Sequence, residues 1–330
     1  MQALREPAAR RASKVLLRVA LAASAAVVPA ALLAVTARSS TPPLTPVSAS
    51  YVVSASAVPL FVGLQQGFYA AHGLDVHPQV VTASSAAVAG VASGQLQFAS
   101  GAIVTLMQAY SQGIQIELVG PEVSTTKGSI CILAKTGTTL AHVRTIALNS
   151  LGGTGQLSDE MWLKSRAIDL HSIQYVAVPY SAQLSAIANG TVDAGVIDQP
   201  FLSQALTQGG FSCLGDDTIE TGPYGSAAAF WFTSRSYAEQ NPQVVKQFAA
   251  ALLRSNVYSA THPGAEQAAD SQITGVSASA AASTQFFGYP TAVNLGVLQR
   301  IASLGYQFGL IQNQVTVKDM FWPGVRFTRI

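Results

Sequence analysis

The sequence has few charged residues, and this scarcity excludes several classes of protein. Only 10% of its 330 residues are Asp, Glu, Lys or Arg, whereas 49% are apolar. Such a chain is not intrinsically disordered, because disorder requires low hydrophobicity and high charge. After residue 37 the chain has 13 basic and 15 acidic residues. No excess of basic residues remains there to indicate binding to nucleic acid.

Cysteine and the common catalytic motifs are scarce as well. The two cysteines, Cys131 and Cys213, and five scattered histidines exclude a four-ligand zinc site. The Gly-x-Ser-x-Gly motif is absent, and Gly152-Gly153-Thr154-Gly155 has the spacing of neither a dinucleotide-binding fingerprint nor a P-loop. We therefore expect no metal, no cofactor and no catalytic residues, which indicates a protein that is not an enzyme. Whether the cysteines form a disulfide or remain buried thiols stays open.

The first 50 residues differ in composition from the rest of the chain. Five basic residues precede an apolar run over 19–35, which leads into small residues at 35–37. This order is typical of an export signal. We predict an export signal over 1–37, a polar linker over 38–50, and a location in the periplasm or at the cell surface. A retained membrane anchor is the alternative, because about 17 apolar residues is the lower limit for a membrane-spanning helix.

The remaining chain alternates between short β-favouring runs and helical patterns. The predicted strands cover 51–53, 76–81, 114–119, 129–134, 145–148, 173–178, 194–197 and 226–233. This alternation is typical of βαβ units, so the predicted fold class is α/β, with mostly parallel sheets flanked by helices. The alternation of strands and helices occurs in two successive runs, which predicts two lobes. The first covers 51–135 and the second 136–222, and 223–330 returns to the first lobe and ends in C-terminal helices.

Small and hydroxyl-bearing residues follow the predicted strands. In open α/β sheets, ligands bind beside the carboxyl ends of the strands, where helix N-termini can hold an oxyanion. The candidate ligand-binding residues are Ser54, Ala55, Val58, Ser84, Ser85, Gly101, Gly153, Thr154, Tyr180 and Asp198. Asp198, the one acid among them, would pair with an amine of the ligand. The alternative is that these residues are ordinary helix caps, with Tyr180 in the core.

Several stretches resemble one protein family in their order and spacing. They are Pro59-Leu60-Phe61-Val62-Gly63-Leu64-Gln65-Gln66-Gly67-Phe68-Tyr69, Gly73-Leu74-Asp75-Val76, 91–98, 187–194 and Pro200-Phe201. Over residues 50–255 the chain resembles the solute-binding proteins of ABC importers, in the group with nitrate, sulfonate, taurine and thiamine-pyrimidine relatives. The resemblance implies a two-lobed, type II periplasmic-binding-protein fold with a hinge of two crossing segments.

The same resemblance implies a function and partners. A member of this group clamps a small organic solute, such as a sulfonate, a taurine-like or a pyrimidine-like molecule, and delivers it to an ABC permease and ATPase. It would act as a monomer and meet the membrane only through its signal or anchor, or by docking on the permease. The chain departs from its relatives at Asp198-Gln199, where a Trp-Glu pair is common, so the size and charge of the site differ.

Two other functions stay open. Some relatives are enzymes that make the thiamine pyrimidine, although that branch has a cysteine-rich cluster that this chain lacks. An exported ligand sensor would share the sequence features of a transport component.

Overall fold

The computed structural model describes residues 43–328, in which two five-stranded sheets form. The strands are β1 (Thr45–Val52), β2 (Leu74–Val81), β3 (Phe98–Ala102), β4 (Ile116–Ser124), β5 (Ile130–Lys135), β6 (Thr145–Leu148), β7 (Gln174–Ala177), β8 (Ala194–Asp198), β9 (Phe211–Gly215) and β10 (Ala227–Ser234). Nearly every residue of β4 and β8 is buried, as expected of strands covered on both faces.

Helices cover both sheets. They are α1 (Val58–Gln65), α2 (Phe68–Ala71), α3 (Ser84–Ala92), α4 (Ile103–Ser111), α5 (Thr154–Ser165), α6 (Tyr180–Ala188), α7 (Phe201–Gln208), α8 (Arg235–Gln240), α9 (Pro242–Ser259), α10 (Pro263–Thr274), α11 (Ala278–Ala282) and α12 (Leu295–Gln307). None of the helices in the described range has both the length and the apolar character needed to cross a membrane.

The first lobe is built on the sheet with the order β2-β1-β3-β10-β4. β1 runs parallel to β2 and β3, whereas β10 runs antiparallel to both β3 and β4. The return strand predicted over 226–233 is therefore β10. The long helix α9 closes one face of this sheet, where the ring of Phe248 stacks on that of Phe98 at 3.9 Å.

The second lobe is built on the sheet with the order β7-β6-β8-β5-β9. β6 is parallel to β7 and β8, and β5 is antiparallel to β8 and β9. Each sheet thus has one reversed strand, and the predicted α/β fold with mostly parallel sheets is confirmed. The sequence did not indicate β9, which is a short, half-exposed strand at the sheet edge.

The chain crosses between the sheets in two places within residues 43–328, between β4 and β5 and between β9 and β10. The structure moves two predicted boundaries. β1 starts at Thr45, inside the stretch expected to be a polar linker, because its alternating small residues pair with β2 along the whole strand. β5 lies in the second sheet although the first lobe was expected to extend to residue 135. The predicted export signal over 1–37 lies outside the described residues.

The two cysteines form a disulfide. Cys131 on β5 and Cys213 on β9 lie on neighbouring strands, with their Cα atoms 5.9 Å apart. This resolves the alternative between a disulfide and two thiols. The bond fastens the edge strand β9 to the centre of the second lobe.

Candidate functional site in the cleft between the lobes

A cavity of about 120 Å³ lies between the two lobes, at the carboxyl ends of their strands. Its polar lining comes from both lobes: Ser54, Ser56, Ser84, Ser100, Glu122 and Thr125 from the first, and Asn149, Thr154, Ser158, Tyr180, Asp198, Asp217, Thr218 and Thr221 from the second or its crossing segment. Val52, Val123 and Phe287 add apolar surface. A molecule in this cavity would contact both lobes at once.

Six of the ten residues predicted from the sequence line this cavity. They are Ser54, Ser84, Gly101, Thr154, Tyr180 and Asp198, which lie at or next to the carboxyl ends of β1, β2, β3, β6, β7 and β8. The parallel strands of each sheet bring these ends to one edge. The topology therefore gathers residues that are far apart in sequence.

The other four predicted residues lie elsewhere. Ala55 and Val58 are fully buried, Ala55 in a cluster with Val123 and Val58 in one with Ala269, because the turn after Ser54 directs them into the core. Ser85 is exposed on the outer side of α3. Gly153 faces the other lobe rather than the cavity, and a Cβ atom there would lie 3.1 Å from Thr105 Oγ1.

Two hydroxyls expected to bind ligand are already hydrogen-bonded to the start of α4. Its N-cap residue, Ala102, has no polar side chain, so other residues satisfy the first backbone N–H groups. The Ala102 N–H donates to Ser84 Oγ at 3.0 Å, and the Val104 N–H donates to Thr154 Oγ1 at 3.1 Å. Since Val104 belongs to the first lobe and Thr154 to the second, this bond holds the lobes together.

Further hydrogen bonds join the two halves. The Ala55 N–H donates to the carbonyl oxygen of Gln199 at 2.8 Å, and Ser203 Oγ on α7 donates to the carbonyl oxygen of Ser283 at 3.0 Å. Bonds from different parts of the chain thus fasten the second lobe to the first. The two lobes are therefore in direct contact across the cleft.

Gly153→Val is expected to keep the lobes from closing. A Cβ atom is already tight against Thr105, and the methyl groups of valine would extend further, an overpacking worth about 1–3 kcal/mol. We expect hydrogen exchange of the Val104 amide to become about tenfold faster or more, because its acceptor lies across the cleft. Gly264→Val is the control, since a Cβ atom at Gly264 would have no neighbour within 4 Å. Unchanged exchange at Val104 would show that Gly153 does not govern closure.

The cavity also contains acids that the sequence did not indicate. Glu122 near the end of β4 and Asp217 after β9 join Asp198, and the three residues are only 2%, 1% and 6% exposed. Glu122 Oε1, Asp198 Oδ1 and both carboxylate oxygens of Asp217 have no hydrogen-bond partner in the described chain. A charged residue within the apolar stretch Gly-Pro-Glu-Val was the signal that would have identified Glu122.

Burial dominates the electrostatics of these acids. Burial raises the pKa of Glu122 to about 8, although hydrogen bonding by the hydroxyls of Ser100 and Ser56 lowers it. It raises the pKa of Asp198 to about 7, opposed by the hydroxyls of Tyr180 and Ser54. The pKa of Asp217 lies well above its ordinary value, first through burial and second through the charge of Asp159.

The described residues that line the cavity with these acids include no Lys, Arg or His. Within residues 43–328 there is also no group of three or more His, Cys, Asp or Glu side chains placed to hold a metal ion. The described residues of the site therefore offer carboxyl oxygens, hydroxyls and an amide to a ligand, and no positively charged side chain.

Two lobes that enclose a cavity at their strand ends have the periplasmic-binding-protein fold. The chain belongs to the family described as NMT1/THI5 like, whose profile matches residues 54–266.

Solved structures with this fold include two periplasmic binding proteins. The aliphatic sulphonate binding protein SsuA from Escherichia coli is similar with a TM-score of 0.68 and 20% identity, over 86% of this chain and 99% of that one. The nitrate-binding protein NrtA from Synechocystis PCC 6803 has a TM-score of 0.72 and 13% identity, over 84% and 85% of the two chains.

One relative found by sequence similarity is named as an enzyme rather than as a binding protein. A 4-amino-5-hydroxymethyl-2-methylpyrimidine phosphate synthase from Candida albicans is 23% identical in an alignment of 221 residues that covers 62% of this chain. The match spans 64% of the length of that synthase.

Proposed function

We propose that the chain is the extracytoplasmic solute-binding component of an ABC importer. The observation that carries this proposal is the cavity lined from both lobes, together with the bond from Val104 to Thr154 across the cleft. A ligand that touches both lobes favours the closed over the open state by the free energy of the interactions that form only on closure. Such a closed complex is what a permease recognises.

The location and partners follow from the same proposal. The composition of residues 1–37 favours export, and the family and fold relatives include periplasmic binding proteins. The chain would work outside the cytoplasm as a monomer and dock with its loaded cleft on an ABC permease and ATPase.

The solute is small and organic. An engineered apolar cavity of about 150 Å³ holds one benzene molecule, so a cavity of about 120 Å³ limits the solute to about the size of benzene. Sulfonates, taurine-like and pyrimidine-like molecules have this size. The three carboxyl groups favour those that carry an amine over a plain sulfonate or nitrate.

Calorimetry with a panel of sulfonates, carboxylates, pyrimidines and small amines tests the proposal. A solute that binds should slow hydrogen exchange of the Val104 amide by about tenfold or more, because closure protects its bond to Thr154. Exchange at Ser236, on the exposed side of α8, serves as the control and should not change. If no solute of the panel binds, or if binding leaves Val104 unprotected, the chain is not a clamp of this kind.

The match to the synthase supports one other candidate, an enzyme of pyrimidine formation. Incubating the purified chain with pyridoxal phosphate distinguishes the two, because an enzyme of that branch would form a pyrimidine product. We expect no product, and formation of one would favour the enzyme. A purely sensory role would instead be indicated if the loaded chain bound a receptor and did not stimulate its permease.

A further inference from the structure

We propose that the cavity takes a small organic cation, a protonated amine or an amidinium, held between the carboxyl groups of Glu122, Asp198 and Asp217. This inference deepens the proposed function, since it names the chemical class of solute that the clamp accepts.

The first argument is the placement of the acids on both sides of the cleft. Glu122 lies on β4 in the first lobe, Asp198 at the end of β8 in the second lobe, and Asp217 on the chain that follows β9. Each is more than nine-tenths buried, and each has at least one carboxyl oxygen without a hydrogen-bond partner in the described chain. Buried acids are normally paired or hydrogen-bonded, and these unpartnered oxygens belong to residues that line the cavity, where a ligand can reach them.

The second argument is the sign of the charge. Each of the three acids is disfavoured in its ionised form by burial, and the charge of Asp198 disfavours ionisation of both Glu122 and Asp217. An anionic ligand would disfavour the ionised forms of these acids still further. A cation removes the repulsion and donates N–H groups to the unpartnered oxygens, and such charge-assisted hydrogen bonds are about twice as strong as neutral ones.

The third argument connects the charge with closure. When the lobes separate, Glu122 moves away from Asp198 and both acids regain water. Closing the empty cleft dehydrates and crowds them, which is unfavourable. A cation that contacts both acids reverses this balance, so the clamp closes on a cation in preference to closing empty.

Three planar ligands of one shape and different charge test the inference. Benzamidine is cationic, benzamide is neutral and benzoate is anionic, and the three have the same ring and nearly the same planar shape, so they differ chiefly in charge. We expect calorimetry at pH 8 to show benzamidine binding about 100-fold more tightly than benzamide, with no detectable binding of benzoate. Benzoate binding as tightly as benzamidine, or no benzamidine binding at about 10 mM, overturns the inference.

Variants identify the groups responsible. Asp198→Asn and Glu122→Gln keep the shape of the side chain and should each weaken benzamidine binding about 30-fold or more. Asp270→Asn is the matched control: Asp270 is fully buried with a pKa raised to about 7, as for Asp198, but lies outside the cavity. It should leave the affinity unchanged. If all three variants weakened binding equally, the effect would come from a general change in the folded structure and not from contact with the ligand. The inference would then fail.

The two proposals fail in different ways. If benzoate binds and protects the Val104 amide, the proposal of a solute-binding protein that closes on its ligand is supported, and the proposal of a cationic ligand is wrong. If neither these three ligands nor any solute of the wider panel protects Val104, the clamp itself is wrong.

Discussion

Glu122→Gln is expected to make the ligand-free protein more stable at pH 8, by about 4 kcal/mol. Burial raises the pKa of Glu122 from 4.5 to about 8, so the folded state holds a proton that the unfolded state has released. The contribution of Glu122 to the free energy of unfolding should therefore be highest below pH 4.5, fall as the pH rises, and level off above pH 8. Glutamine does not titrate and keeps the hydroxyls of Ser100 and Ser56 as hydrogen-bonding neighbours.

Urea unfolding between pH 5 and 9 measures this effect on protein from which any bound ligand has been removed by unfolding and refolding. The slope of stability against pH should decrease in Glu122→Gln but not vanish, because Asp198, Asp159 and Asp270 also have pKa values raised to about 7 by burial. The exposed Glu239→Gln is the control and should leave the slope as in the wild type. A Glu122→Gln variant less stable than the wild type at pH 8 would show that the carboxylate supports the fold.

Removing the disulfide is expected to lower the free energy of unfolding by about 3–4 kcal/mol. Cys131 and Cys213 are 82 residues apart in sequence, and a bond across so long a loop restricts the unfolded chain strongly. The double variant Cys131→Ala, Cys213→Ala should retain the second sheet, because β5 and β9 remain paired. β9 precedes Asp217, so the variant should also expose that acid more readily.

Urea unfolding of the double variant, with and without a reducing agent, checks this prediction. The reducing agent should destabilise the wild type to the level of the variant and should not change the variant. If the oxidised wild type and the double variant are equally stable, the bond does not contribute to the stability of this lobe.

The fold was largely predictable because alternating βα units leave a clear pattern in the sequence. β6 was predicted at its observed bounds, 145–148. β9 was missed because a short, half-exposed edge strand has neither a long apolar run nor a helical period to mark it. β1 was placed too late because its first residues are polar or small and resemble a linker.

The acids of the site show where reasoning from sequence stops. The strand predicted over 114–119 continues to Ser124, past Pro121, which normally ends a strand. Pro121 is accommodated here at an irregular part of the pairing between β4 and β10. Glu122 therefore lies in the last part of β4 and lines the cavity, whereas the sequence pattern placed it in the loop after the predicted strand.

The hydroxyls of the site illustrate a second limit. Ser84 and Thr154 were correctly placed at strand ends, but their oxygens accept hydrogen bonds from the first turn of α4. The two hydroxyls accept these hydrogen bonds because the side chain of Ala102 cannot cap α4, and because the two lobes meet at this point. A contact between lobes depends on the tertiary structure, so the local sequence does not indicate it.

Small-angle X-ray scattering with benzamidine and with benzoate is the most direct test that this chain clamps a cation. The acids and the bond from Val104 to Thr154 lie across the same cleft, so a ligand that closes the cleft must make the molecule more compact. The account predicts a smaller radius of gyration with benzamidine and no change with benzoate. A molecule that becomes more compact with benzoate and not with benzamidine would contradict it.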